Sequence, residues 1–221
     1  MPVLTKTPSL SGLRYNAVPT RRSLTAGMRA CAAWAAIEEH DKILDMACGG
    51  GALLRYLNGR YRLTLCGMCD SPEQARIVRE EMTDADVVPA SLSDIPWRDE
   101  TFDIALLPSL PRSGALRPAL EEACRVLKTG GQLVMAQSLL RMRGEGEGGL
   151  REAMRLMQEI GFREVTLRLN GLTAVALGWK NSGFARALHR GGVSKPAKCN
   201  KRAASPFLLN PQSRLRRLEE Q

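Results

Sequence analysis

The chain has 221 residues, 44% apolar and 25% charged, which suits one well-packed globular domain with appendages and leaves too little for two large ones. No apolar run approaches the roughly 20 residues of a membrane span, and Met1 to Arg22 lack the apolar core of a secretory signal, so a cytoplasmic protein is expected. The net charge of +9 is localised: residues 180–221 carry ten Lys and Arg against two Glu, leaving +1 for residues 1–179 and excluding a basic nucleic-acid footprint spread over the body.

Ser23 is placed to cap a first helix, whose apolar positions Leu24, Met28, Cys31 and Ala35 recur at helical spacing. A short apolar strand, Lys42 to Met46, runs into Ala47-Cys48-Gly49-Gly50-Gly51, and a helix with Leu53, Leu54 and Leu57 on one side follows. Tyr61 to Cys66 reads as a second strand. Ser71-Pro72-Glu73-Gln74 then opens a helix, with Ser71 as N-cap, Pro72 suited to the first helical position and Gln74 completing a capping box. Val87-Val88 is a third strand, and Phe102 to Leu107 a fourth whose unbroken apolar character implies burial on both faces. A helix from about Ala115 to Leu127 carries Leu116, Leu120, Ala123 and Leu127 on one stripe and stops at Gly130-Gly131. Gln132 to Gln137 is a fifth strand, residues 144–149 a glycine-rich flexible loop, and Leu150 to Ile160 a helix ended by Gly161.

Val165, Leu167 and Leu169 alternate, Asn170-Gly171 follows, and Leu172, Ala174 and Ala176 alternate again. This is the pattern of a β-hairpin on a type I′ turn, which needs positive φ at both central residues. Strands alternating with helices predict an α/β fold, a Rossmann-like doubly wound, mostly parallel sheet with helices on both faces, closed by the antiparallel hairpin. The expected organisation is an N-terminal arm and helix over 1–40, the α/β domain over 41–180, and a basic, disordered tail over 181–221.

The chemistry concentrates at Ile43-Leu44-Asp45-Met46-Ala47-Cys48-Gly49-Gly50-Gly51, where the first strand points an acid and a glycine turn at the edge on which open α/β sheets bind ligands. Glycines let the backbone approach a ligand, and the following helix start offers free N–H groups. A dinucleotide would prefer G-x-G-x-x-G, whereas this stretch reads Ala-x-Gly-x-x-Ala from Ala47. The acid suits a cation, of which a sulfonium with its α-amino group is one. A glycine turn without a ligand is the alternative.

Four blocks in this order make the chain resemble the class I S-adenosylmethionine-dependent methyltransferases of the type-11, UbiE-like group, over about residues 40–180. They are Ile43 to Gly51, Cys66 to Glu73, Asp94 to Asp103, and Arg125 to Gly131. The resemblance implies a seven-stranded sheet, S-adenosyl-L-methionine as cofactor, and Asp45 facing the methionine amino end with Ala47, Cys48, Gly49 and Gly51 lining it. Ala47 stands where the family's first motif glycine falls. The family's ribose-gripping acid aligns with Cys69, with Asp70 one residue late, and its adenine-side acid aligns with Ser91, followed by Leu92. A thiol is a weak partner for ribose hydroxyls, so either Asp70 swings in or cofactor affinity is reduced.

Six cysteines, at 31, 48, 66, 69, 124 and 199, lie partly in apolar runs and predict no disulfide framework. Cys66-Gly67-Met68-Cys69 invites a redox reading, against which Asp70-Ser71 intervenes before the helix and Cys66 is expected to point into the sheet. Zinc spacing is absent, although Cys48 could lie close by on the adjacent strand. His40, before the first strand, and His189, in the tail, are poor candidates for a base, and Asp103 is read as structural. Tyr15 is a candidate cover for the cofactor or an exposed tether, and Glu145 and Glu147 a candidate acceptor lid or a plain linker. The expected partner is a small-molecule methyl acceptor. RNA methylation through the tail and cofactor binding without catalysis are the alternatives, and no residue is nominated as base.

Overall fold

The computed structural model describes residues 23–111, 113–139 and 149–181. Its elements are α1 (Ala26–Trp34), β1 (Lys42–Asp45), α2 (Ala52–Asn58), β2 (Thr64–Cys69), α3 (Pro72–Glu81) and β3 (Ala85–Pro89). They continue with β4 (Phe102–Leu107), α4 (Ser113–Val126), β5 (Leu127–Ser138), α5 (Leu150–Ile160), β6 (Phe162–Asn170) and β7 (Thr173–Lys180). The sheet has seven strands in the order β3-β2-β1-β4-β5-β7-β6. β1 to β5 pair in parallel, and β7 runs antiparallel between β5 and β6. From β1 the chain first builds outward to β3, then returns to lay β4 on the other side, so the crevice lies at the carboxyl ends of β1 and β4.

Because strand side chains alternate between faces, two apolar layers form. Leu44, Met46, Cys66 and Met68 pack with α4 and α5, whereas Ile43, Leu65, Cys69 and Leu106 pack with α1, α2 and α3. α2 has only seven residues and would not persist alone. Its Leu53, Leu54 and Leu57 are fully buried, each contributing about 1.5–3 kcal/mol on transfer from water. Helix α1 packs on β5 and β7 of the sheet through Met28, Ala30 and Cys31.

Several boundaries differ from expectation. The N-cap of α1 is Thr25, whose side chain accepts from the Met28 amide, and not Ser23. β2 starts at Thr64, because Tyr61 stays exposed, and it reaches Cys69. Leu127 leaves α4 and opens β5, pairing with Phe102. At α3 the expected cap is present: Ser71 accepts from the Gln74 amide and Pro72 opens the helix. The hairpin turn sits one residue later than read. Asn170 pairs with Thr173, so Gly171 and Leu172 are the central residues. Only Gly171, at φ +58°, is left-handed, which is the II′ pattern with glycine first rather than I′.

Candidate functional site

The β1 carboxyl end is tied on both sides. The Met46 amide donates to the Leu106 carbonyl of β4 at 2.9 Å and the Cys48 amide to the Met68 carbonyl of β2 at 2.8 Å. Beyond these anchors the backbone turns sharply, with Gly49 at φ +49° and Gly51 at φ +75°. A Cβ on Gly51 would also lie 2.7 Å from the Val78 methyl, so glycine is required there twice over. A Cβ on Gly49 or Gly50 would meet nothing within 4 Å, so open space lies beside both. Arg55, which the sequence reading passed over, holds the loop from behind. Its guanidinium donates to the Gly50 carbonyl at 2.7 Å and pairs with Glu81 at 3.0 Å. An arginine one turn into the helix after the glycines was the only available signal.

Asp45 is fully buried. One carboxylate oxygen accepts from the Ala47 amide at 3.2 Å, while Oδ2 has no partner among the described residues. Burial pushes its carboxyl up to about 7, opposed only by the Ala47 amide. The Cys31 thiol on α1 and the Cys48 thiol are both raised, by burial and by a hydrogen bond to Cys69 respectively, with the Asp45 charge contributing to each. An unsatisfied buried carboxylate oxygen costs stability until something cationic or donating meets it. Reaching it requires its cover to open, because no part of the residue is exposed to solvent.

The structure brings Cys48 and Cys69 together across the β1–β2 boundary, with sulfurs 2.8 Å apart and the Cys69 thiol donating to the Gly49 carbonyl at 3.4 Å. Cys69 is therefore turned inward, under the glycine loop. Asp70 is exposed and makes no side-chain hydrogen bond among the described residues. Ser91 is exposed, shares a 2.9 Å hydroxyl contact with Ser93 and bridges Asp94 through the backbone, and Leu92 packs partly against the core. The Cys66–Cys69 pairing does not form, since three residues along a strand reverse the face. Cys66 packs in the opposite layer, its thiol pushed up to about 11 by burial. Asp103 is structural: it accepts from the Lys42 amide and pairs with Lys128. His40 sits at the amino end of β1, its amide bonded to Arg62. Tyr15, Glu145, Glu147, His189 and the basic tail lie outside the described residues.

Residues 44–135, from inside β1 to inside β5, match the family model of the methyltransferase domain. Over these residues, less than half of its length, the chain is similar to a methyltransferase domain. Solved structures share the methyltransferase fold at low identity. One is an S-adenosylmethionine-dependent methyltransferase from Aquifex aeolicus, 17% identical over 70% of this chain and 89% of that one, with a TM-score of 0.58. Another is geranyl diphosphate methyltransferase in complex with its diphosphate and sinefungin, 13% identical over 70% and 77%, at 0.59. A third is the 4+2 cyclase SpnF, 16% identical over 71% and 81%, at 0.60. A cyclase among them shows that the fold does not by itself specify the reaction. Among curated proteins none matches the chain significantly. No helix among the described residues is long and apolar enough to cross a membrane.

The residues at this turn fit the cationic half of S-adenosylmethionine, the cofactor that the resemblance implies. The orphaned Asp45 oxygen is the buried anion that an ammonium or sulfonium needs, and the space beside Gly49 and Gly50 is the room it would occupy. The ribose half lacks the family's carboxylate, because Cys69 faces Cys48 instead.

Proposed function

We propose that the chain transfers the methyl group of S-adenosylmethionine to a small-molecule acceptor in the cytoplasm. The observation that carries this reading is the fully buried Oδ2 of Asp45 beside the glycine turn, unpartnered among the described residues. When bound, the cofactor supplies a methyl group on a sulfonium that departs as a neutral thioether. Asp45, Ala47, Cys48, Gly49 and Gly51 hold the methionine end, Asp45 by balancing its positive charge. Cys69, Asp70, Ser91 and Leu92 flank the adenosine, with a weaker grip than a ribose-binding carboxylate provides. Catalysis here is mostly positioning, since the sulfonium is already activated and a base is needed only for an acceptor that must lose a proton. The near-neutral body, +1 over residues 1–179, favours a small acceptor over RNA.

The test has two parts. Calorimetry should give S-adenosylmethionine binding in the micromolar to sub-millimolar range, and tritiated methyl transfer should label a metabolite fraction rather than RNA or protein. Absence of binding at millimolar cofactor would remove the enzyme reading. Binding without transfer to any fraction would leave a cofactor-binding protein.

A further inference from the structure

A hollow of about 410 Å³ opens at the same edge of the sheet, lined by Ala26 and Arg29 of α1, Ser138 at the end of β5, and Asn170, Leu172 and Thr173 of the hairpin. Its polar groups are under-used. The Arg29 guanidinium donates once, to the Leu24 carbonyl at 2.6 Å, and faces no carboxylate among the described residues. The side chains of Ser138, Asn170 and Thr173 make no hydrogen bond among the described residues, and Thr173 is only 2% exposed. No acidic residue among the described residues lines the cavity. The exposed Arg29 guanidinium, two hydroxyls and the exposed Asn170 amide around a single concavity are donors available to an acceptor.

The position matters as much as the lining. β5 is two strands and β7 three strands from β1, a sideways offset of roughly 10–14 Å at about 4.8 Å per strand. Ser138 lies beyond Val134, which is level with Asp45 through Leu106, by roughly 13 Å along the strand, so the hollow stands on the order of 17 Å from Asp45. Helix α1 links the two places. Gly27 lies so close to the end of β4 that a Cβ would come 2.1 Å from the Pro108 carbonyl oxygen, and Arg29 projects two residues further on.

We infer that this hollow is the anchor site for the methyl acceptor, and that the acceptor carries an oxyanion, carboxylate or phosphate, held by the Arg29 fork and the hydroxyls of Ser138 and Thr173. This rests on the methyltransferase reading for its purpose, but the anion site stands on its own geometry. Arginine's planar fork suits bidentate capture of such a group, and lysine would not reproduce it.

The full-length protein is screened by saturation-transfer NMR against matched small aromatic and aliphatic carboxylates, their primary amides, and the corresponding alkyl phosphates, with and without S-adenosylhomocysteine. Oxyanion members should bind at least tenfold more tightly than their amides, and Arg29→Gln should abolish that preference. Arg29→Lys should restore only part of it. S-adenosylhomocysteine affinity, read by calorimetry, should stay within twofold in both variants. The carboxylate and phosphate arms distinguish which oxyanion is preferred. Equal binding of acids and amides, a preference that survives Arg29→Gln, or no binding by any panel member would overturn the inference. Failure of S-adenosylhomocysteine to bind the wild type would instead count against the methyltransferase reading, since the Arg29-dependent preference is also measured without it.

Discussion

Replacing Asp45 by Asn should uncouple the stability of the empty fold from pH and weaken the cofactor at the same time. In the folded chain burial raises the carboxyl from 3.8 to about 7. A group raised in this way contributes its full stability below the unfolded value and loses it as pH climbs to the folded one. The rise corresponds to about 4 kcal/mol across that window, on the order of 1.4 kcal/mol per pH unit. Urea unfolding of the cofactor-free protein should therefore show wild type losing about 4 kcal/mol relative to Asp45→Asn between pH 4 and pH 8, whatever constant offset the amide introduces. A cation placed beside Oδ2 pulls the carboxyl back down, so cofactor binding near pH 7 should release a fraction of a proton. This is read as a dependence of the binding enthalpy on the buffer's heat of ionisation. Asn cannot balance the charge, and affinity should fall by roughly 2 kcal/mol, some 30-fold, with proton release lost. Parallel pH–stability curves for the two proteins, or unchanged cofactor affinity in the variant, would refute the reasoning.

Other substitutions probe neighbouring parts of the argument. Cys69→Asp should tighten S-adenosylmethionine binding by about tenfold in calorimetry, through charge-assisted bonds to the ribose, while lowering the stability of the empty protein because the position is only 2% exposed. Lys180 is buried, donates to the Leu127 carbonyl at 2.7 Å and stands 3.7 Å from Glu100. Lys180→Met should then cost about 1–3 kcal/mol in urea melts and leave cofactor affinity unchanged, because it lies at the opposite end of the strands. The raised thiols of Cys31, Cys48 and Cys66 hold little thiolate at pH 8. Iodoacetamide should leave all three unlabelled in the native protein and label them once denaturant is added, as read by peptide mass spectrometry.

Local signals carried much of the fold. The apolar runs of β1 and β4, the Ser71-Pro72 cap of α3 and the glycine turn after Asp45 all depend on interactions within a few residues, so their physics is visible in the linear string. The hairpin was legible in the same way, although its centre moved by one residue when cross-strand pairing matched Asn170 with Thr173. Cys66 and Cys69 look like a pair in sequence and are separated by the two-residue period of a strand, whereas Cys48 and Cys69 meet only because β1 and β2 are neighbours. The placement of α1 over β5 and β7, and with it the Arg29 hollow, was likewise invisible. Residues 29, 138 and 173 converge through burial of α1 against strands more than a hundred positions away. The sequence by itself determined which segments become strands and helices and where an acid meets a glycine turn. Only the tertiary structure decided which side chains share a cavity, because strand order and helix docking are set by apolar burial between distant segments, which no local pattern encodes.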